Sequence, residues 1–449
     1  MLKIILGIIG LGIIVFVHEL GHFLMARLCG VDVEAFSIGM GPILFRKKIG
    51  LTEYRISLIP LGGYCSMKGE QAFSEAIEQN LPSIPKEPRS FYGVHCLKRA
   101  LIAFFGPAFN VVFTWIAFLV IALVGYTQYT TSNRIILLTD KDATARSVAA
   151  DAGLLTGDYI ISIDGEETGN FSQIYEKVGM NPQKDLAVKV NRNGDILDFT
   201  LTPLLDKDTG AGKIGVYSWT DTKIVEVTKG SPGDIAGLQS GDVIVEANGK
   251  AVSNTVDFSF AVEGQNTFSV KYLRDGLEKT ADIFIPYDNG KLRPMGIAFE
   301  FIKVESPKLN FFSAAKRSLA DTFSLAKQTF SGLALLFKGI DLTKAVSGPI
   351  RITSMLGEVA QSSFSVGFKE GVVSCLNFLA IISISLCIMN LLPIPVLDGV
   401  IILFAIWEFL FKKQIPPKIL SGIQLIGVSI LIFLMIFATF GDIKFLVGK

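Results

Sequence analysis

Four long apolar segments limit what this chain can fold into more than any other feature of its sequence. The first begins at Ile4, is interrupted by polar residues from His18 to His22, and ends before Arg27. The other three contain no Lys, Arg, Asp or Glu and cover residues 100–125, 372–397 and 419–441. An α-helix rises about 1.5 Å per residue, so each of these three can cross a hydrocarbon core about 30 Å thick.

We therefore predict an α-helical polytopic membrane protein with about four transmembrane helices, over residues 1–28, 98–126, 367–397 and 419–441. The composition agrees, because only 18% of the residues are charged, against about a quarter in soluble domains. A net charge of +1 gives no general attraction for polyanions, so we expect no nucleic-acid partner. A signal peptide is an alternative for the first segment, but no small-residue cleavage site follows it.

Positive charge near the ends of the spans predicts their orientation. Lys and Arg are frequent between the first two spans, and the loop before the fourth span carries Lys412, Lys413 and Lys418. Both regions are therefore expected on the cytosolic side. The long region over residues 127–366, together with both termini, is then expected outside the cytosol.

The long region contains an internal repeat. Residues 147–165 match residues 231–249 at a constant offset of 84 positions. Each copy has an Ala-Gly-Leu helix end, a Gly-Asp turn, an apolar strand and an Asp-Gly or Asn-Gly turn, where a positive φ costs little. The pattern resembles bacterial PDZ domains, so we predict two tandem PDZ-like α+β domains, over 127–219 and 220–303. The resemblance implies peptide binding by strand addition, although a spacer or size filter remains an equal alternative.

Residues 304–366 are predicted to form an amphipathic surface helix and a linker. Between Leu309 and Leu342, apolar residues recur at steps of three and four and alternate with Lys and Arg. This pattern is typical of a helix lying at a membrane surface. The alternative is a helix that packs on its own domain.

The first span carries the motif His18-Glu19-Leu20-Gly21-His22. On a helix, residues four apart share one face and lie about 6 Å apart along the axis. Two imidazoles at that spacing can bind one Zn²⁺, and Glu19 falls beside the metal, where it can act as a base. The alternative, a buried His–Glu pair without a metal, is less favoured because ionisable residues inside a span usually mark function.

A catalytic zinc needs a third protein ligand. The candidates near the other spans are Asp398, Glu408 and Asp442, whereas His95 lies in a polar stretch at the cytosolic edge. Asp398 is favoured because two prolines break the third span just before it, and irregular backbone at membrane depth must line a cavity. An N-cap role for Asp398 would not exclude metal binding. Glu408, between Trp407 and Phe409, is expected at the interface.

With this motif in the first span and Asn390-Leu-Leu-Pro-Ile-Pro-Val-Leu-Asp398-Gly399 in the third, the chain resembles the site-2 protease family of intramembrane zinc metalloproteases. Phe36-Ser-Ile-Gly-Met-Gly-Pro42, Pro60-Leu-Gly-Gly-Tyr64 and Gly106-Pro-Ala-Phe-Asn110 support the resemblance. It implies a Zn²⁺ cofactor held by His18, His22 and Asp398, Glu19 as the catalytic base, and Asn390 in contact with substrate. Many relatives have a second glycine where this chain has Val400.

The resemblance also implies a function, regulated intramembrane proteolysis. The expected partners are the lipid bilayer and single-span membrane proteins, such as anti-sigma factors or remnant signal peptides, with the PDZ-like domains gating entry. The expected location is the bacterial inner membrane, with those domains extracytosolic and the active site towards the cytosolic side. Two rivals remain, a non-catalytic scaffold and a metal transporter, but a transporter usually repeats its broken helices.

The remaining segments are predicted from the same patterns. Residues 29–97 form a cytosolic, membrane-associated β-hairpin loop, because Glu53–Leu58 alternates and glycines and prolines bound the segment. We expect Tyr54–Leu58 to offer an edge strand to an extended substrate. Residues 398–418 carry the Leu-Asp-Gly motif and a cytosolic loop.

Overall fold

The structure is a computed structural model, and it describes residues 2–288, 291–335 and 347–447. The chain divides into two compact units. The helical unit comprises Met1–Tyr126 and Ser306–Lys449, and the inserted unit comprises Thr127–Glu305. Each unit has its own buried core, so we describe them separately.

The helical unit is built mainly from long helices. In chain order they are α1 (Leu2–Leu28), α2 (Glu70–Glu78), α3 (Cys96–Val124), α8 (Phe311–Leu335), α9 (Pro349–Val366), α10 (Phe368–Leu391), α11 (Asp398–Phe411) and α12 (Pro417–Val447), with α4–α7 in the inserted unit. Four stretches of the described helices are long and apolar enough to cross a membrane: Lys3–Leu28, Cys96–Val124, Phe368–Leu391 and Pro417–Ile443. The prediction of a polytopic membrane protein with four spans is confirmed.

Helix α3 lies at the centre of this unit and contacts α1, α8, α10 and α11. Its buried face is built largely from small and polar side chains, among them Gly106, Asn110, Thr114 and Ala117. Small residues let helices approach closely where no water drives association. The contact with α10 includes two hydrogen bonds to backbone carbonyls, from Thr114 Oγ1 to Ala380 (3.3 Å) and from Ser383 Oγ to Asn110 (3.0 Å).

Helices α8 and α9 occupy the region expected to be a surface helix and linker. Helix α8 buries Ala314, Ser318 and Thr322, while Phe312 and Phe323 are 84% and 70% exposed. Helix α9 contacts α1 and α10 and buries small residues and Leu356. Both helices therefore pack on their own unit through one face. The last part of the predicted amphipathic stretch, from residue 336, lies outside the described residues.

The third span is shorter than the predicted 367–397, because α10 ends at Leu391. The residue before a proline disfavours helical geometry, and prolines stand at 393 and 395. In the connecting loop, Val396 has a φ of 83°, a conformation that a β-branched residue rarely adopts. The loop delivers the chain to α11, whose first residue is Asp398.

Strands β1 (Val33–Ile49) and β2 (Thr52–Met67) form the sheet that follows α1. The second half of β1 pairs with the start of β2, and Ala35–Ile38 pairs with Gly63–Ser66. On the opposite side from Gly63–Ser66, residues 35–38 pair with residues 53–56. Tyr54 therefore has Phe36 on one side and Lys47 on the other. The expectation that Tyr54–Leu58 is an edge strand is wrong at Tyr54–Ile56, because the long strands fold back on themselves.

The inserted unit contains two similar antiparallel sheets. The first repeat has the strand order β6-β5-β7-β8 and the second β14-β13-β15-β16. The strands of the first repeat are β4 (Ile135–Leu137), β5 (Tyr159–Ile163), β6 (Glu166–Glu167), β7 (Leu186–Arg192), β8 (Asp195–Leu201), β9 (Leu204–Leu205), β10 (Gly212–Lys213) and β11 (Val216–Ser218). Those of the second are β12 (Ile224–Val227), β13 (Val243–Ala247), β14 (Lys250–Ala251), β15 (Thr267–Arg274), β16 (Leu277–Phe284), β17 (Tyr287–Asp288), β18 (Lys291–Leu292) and β19 (Ile297–Phe299).

The helices of the repeats also correspond. They are α4 (Val148–Asp151), α5 (Phe171–Gly179), α6 (Pro232–Ile235) and α7 (Thr255–Val262). Asn170 and Asn254 cap α5 and α7 in the same way. The predicted turns are present, since Asp164 and Asn248 have φ values of 51° and 49°.

One ion pair recurs in both repeats and explains the Gly-Asp signature. Arg192 binds Asp158 through two contacts of 2.8 Å, and Arg274 binds Asp242 at 2.7 and 2.8 Å. Burial raises the pKa of Asp242, but the hydrogen bonds from Arg274 and from the backbone N–H of Gln239 outweigh it and hold that pKa below its usual value. The aspartate of the signature therefore fastens a turn to a strand of the sheet.

Candidate active site

Helix α1 places His18 and His22 on one face. Both are buried, at 7% and 8% exposure, and their Nε2 atoms lie 3.2 Å apart. The two rings meet at an interplanar angle of 87°. The i, i+4 spacing explains why the rings are neighbours, and their edge-to-face arrangement turns both Nε2 atoms towards one point.

Asp398 reaches that point from the start of α11. Its Oδ2 lies 3.2 Å from His18 Nε2, and its Oδ1 lies 3.4 Å from His22 Nε2. One ligand atom from each of the three residues falls within 4.8 Å of the others. In the described residues this is the one group of three His, Cys, Asp or Glu side chains that could hold a metal ion. Two imidazoles and one carboxylate are a donor set that suits catalytic zinc and leaves a position open.

Helix α3 contacts the Nδ1 atoms of both histidine rings. His22 Nδ1 donates to the carbonyl oxygen of Ile102 at 2.8 Å, and the amide of Asn110 lies 3.2 Å from His18 Nδ1. Gly106 sits between them, and a Cβ on it would lie 2.2 Å from His22 Nε2. Any side chain at residue 106 would therefore collide with the ring, so glycine is required for the close approach of α1 and α3.

Glu19 lines a pocket of about 260 Å³ together with His22 and Asp398. Strand β2 passes close beside its side chain, since a Cβ on Gly63 would lie 3.1 Å from Glu19 Cγ. Cys65 and Met67 line the same pocket, so this end of the sheet lies directly beside the three converging side chains. The carboxylate is thus held next to the metal-ligand set without belonging to it.

Asn390 lies in the last turn of α10. Its Nδ2 is 3.2 Å from His18 Nε2, and the residue is half-buried. The side chain therefore lies next to the His18 ring, beside the three converging side chains.

The other titratable residues considered as ligands lie elsewhere. Glu408 forms a buried ion pair with Arg99 at the start of α3. Asp442 is buried and accepts the backbone N–H groups of Gly348 (2.9 Å) and Arg351 (3.0 Å), so it caps α9. His95 is the N-cap of α3. None of the three approaches His18 or His22, and the preference for Asp398 agrees with this geometry.

Sequence reasoning did not assign roles to Asn110 or to the carbonyl of Ile102. The signal available was the phrase Gly106-Pro-Ala-Phe-Asn110, which places a polar amide inside an otherwise apolar span. A buried polar side chain needs a partner, so Asn110 could have been marked as functional. Its partner could not be named without knowing how α1 and α3 align.

The chain is similar to known metalloproteases over almost its whole length. The model of peptidase family M50 matches residues 6–434. A Treponema pallidum protein named as a zinc metalloprotease is 38% identical over 449 residues, covering 99% of this chain and 100% of the relative. The regulator of sigma E protease of Haemophilus influenzae is 31% identical, and the regulator of sigma-E protease RseP of Escherichia coli is 30% identical, each with 97% of both chains covered.

A family match over almost the whole chain, four spans, and relatives named as zinc metalloproteases lead to one conclusion. The chain belongs to peptidase family M50 and is a zinc-dependent membrane metalloprotease of the site-2 protease type.

Proposed function

We propose that this protein is an intramembrane endopeptidase that cleaves transmembrane segments of single-span membrane proteins, with Zn²⁺ held by His18, His22 and Asp398. The observation that carries the proposal is the convergence of the two imidazole Nε2 atoms with a carboxylate from a helix nearly four hundred residues later. Two of the ligands lie inside the first span, so the reaction takes place at membrane depth.

Zinc bound there would polarise the scissile carbonyl and lower the pKa of an attacking water to about 7. Glu19, which lines the same pocket as His22 and Asp398, is placed to take the proton from that water and to pass it to the leaving amine. Asn390 beside His18 is placed to bind the substrate backbone next to the scissile bond.

Substrate would bind as an extended strand. A transmembrane helix hides its peptide bonds in internal hydrogen bonds, so it must unwind locally before cleavage. Gly63–Ser66 pairs with β1 on one side, and in the described residues no strand pairs with its other side. Because Cys65 lines the same pocket as Glu19, this edge lies beside the site, and it replaces Tyr54–Leu58 as the proposed docking strand.

The natural substrates would be anti-sigma factors or remnant signal peptides in the bacterial inner membrane. The names of the Haemophilus and Escherichia relatives refer to regulation of sigma E, which supports the first class. The two repeats of the inserted unit act as extracytosolic PDZ-like domains that admit substrates already shortened by another protease. The positive charge of the short loops supports this orientation, with the active site towards the cytosolic side.

The test uses purified full-length protein in detergent with a single-span substrate. Glu19→Gln is expected to keep one zinc per chain and to lose about 10²–10⁴-fold in cleavage rate, the usual contribution of a general base. Asp398→Asn is expected to lose zinc as well as activity. Asp442→Asn is the matched control, since it changes a buried carboxylate that caps α9, and its zinc content should equal that of the wild type. Cleavage by Glu19→Gln at the wild-type rate would contradict the proposal.

A further inference from the structure

We propose that Asn110 is a positioning residue for the metal centre: its side-chain carbonyl accepts the Nδ1 proton of His18 and so keeps the Nε2 lone pair directed at the ion. The inference rests on the ligand set proposed above. It adds a partner for His18 on α3, outside both motifs that supply the ligands.

The side chain of Asn110 lies against the His18 ring. The residue is fully buried at 0% exposure, and its Nδ2 lies 3.2 Å from His18 Nδ1. Its Oδ1 is also buried and has no hydrogen-bond partner among the described residues. A buried polar atom without a partner costs about 1–3 kcal/mol, so this amide needs an explanation.

The orientation of the His18 ring determines which of its nitrogens carries the proton. His18 presents Nε2, not Nδ1, to Asp398 Oδ2 and His22 Nε2. A neutral imidazole has one N–H and one lone pair, so ligation through Nε2 leaves the proton on Nδ1. That proton needs an acceptor. Turning the amide by 180° keeps its shape and places Oδ1 opposite Nδ1, so that the Nδ1 proton gains an acceptor, while Nδ2 takes the buried position that Oδ1 held.

His22 has a comparable partner on α3. Its Nδ1 lies 2.8 Å from the carbonyl oxygen of Ile102, two helical turns before Asn110 on α3. One histidine thus has a backbone acceptor on α3, and the other has a side-chain acceptor on the same helix. Partners of this kind fix the orientation of metal-binding histidines, and their loss typically costs 10–100-fold in metal affinity.

The experiment measures zinc affinity by competition with a chromophoric chelator, on full-length protein in detergent. Asn110→Leu removes the acceptor at similar volume and is expected to weaken zinc binding by about 10–100-fold. Asn110→Asp keeps an acceptor and no donor, and it should bind zinc at least as tightly as the wild type. Thr114→Val is the matched control: Thr114 Oγ1 donates to the backbone oxygen of Asn110 at 3.0 Å and not to its amide, so zinc affinity should stay at the wild-type value.

Thermal unfolding in the presence of chelator reports folding separately from metal binding. Should Asn110→Leu not fold, Asn110→Ala replaces it in the comparison with Asn110→Asp. Wild-type affinity in the folded apolar variant, or equal weakening in Asn110→Asp and the apolar variant, would overturn the inference. A wild-type protein that binds no zinc, or an Asp398→Ala variant with wild-type affinity, would instead overturn the proposed ligand set.

Discussion

Gly106 sets how closely helix α3 approaches His22, one of the three proposed metal ligands. A Cβ at residue 106 would lie 2.2 Å from Nε2 and 2.4 Å from Cε1 of the ring. Neighbouring backbone leaves little room on the other side, because a Cβ on Gly21 would lie 2.1 Å from the carbonyl oxygen of Phe105. The ring cannot move away without separating α1 from α3.

Gly106→Ala is therefore expected to lower zinc affinity by at least about 10-fold and to destabilise the helical unit by about 1–3 kcal/mol, the usual cost of overpacking. Zinc titration and chemical unfolding measure the two effects. The matched control is Gly12→Ala in α1, because a Cβ there meets no atom within 4 Å. Equal zinc affinity in the Gly106 and Gly12 variants would mean that the approach of α1 and α3 does not position the ring.

At the scale of single elements, the sheet after α1 shows that a sequence pattern can predict a strand correctly without showing whether that strand lies at the edge of the sheet. Alternation over Glu53–Leu58 indicates a strand, and the structure has one there. Pattern alone does not say which strands flank it, and Tyr54 lies between Phe36 and Lys47. The free edge beside Glu19 is Gly63–Ser66. This segment begins at the Gly62-Gly63 pair, and its sequence shows little alternation of apolar and polar residues.

If the substrate binds as a strand along this edge, prolines introduced into the substrate should block cleavage at every second position. In an antiparallel ladder, the N–H groups of alternate residues point to the partner strand, and proline has no N–H. We expect this pattern in five substrate variants, each with one proline at one of five successive positions on one side of the scissile bond. Cleavage should be blocked at alternate positions, and proline should be tolerated at the positions between them. Mass spectrometry of the products measures this. Uniform tolerance, or inhibition without alternation, would argue against strand addition.

Long local patterns made much of the helical unit predictable, and tertiary contacts decided the rest. The four spans follow from unbroken apolar runs, and His18, Glu19 and His22 share a local spacing that needs no tertiary information. Asp398 could be favoured as the third zinc ligand because the two prolines before it predict a break in the helix. The burial of α9 against α1 could not be predicted, because its small residues look the same on a surface helix.

At the scale of the whole molecule, the inserted unit is attached in a way that allows its removal. The chain enters through β3 (Thr127–Thr130) and leaves through β20 (Ile302–Glu305), and these two strands pair with each other. Thr130 is the direct partner of Ile302. A two-residue turn can join such a pair, so both repeats can be excised without changing the ends of the helical unit.

Replacing residues 131–301 by an Asn-Gly turn should leave zinc content unchanged. The excised variant is expected to cleave single-span substrates that still carry a folded extracytosolic domain, which the wild type should leave intact. Wild-type protein and the variant are compared on a full-length and a shortened substrate. If both proteins discriminate equally between the two substrates, the repeats do not gate entry.

The most direct test of the central claim is anomalous X-ray scattering at the zinc edge from crystals of the full-length protein. We predict one strong peak about 2.0–2.2 Å from His18 Nε2, His22 Nε2 and an oxygen of Asp398, the distances that zinc makes to such ligands. A peak bound by other residues, or none at this site in zinc-loaded protein, would contradict the account.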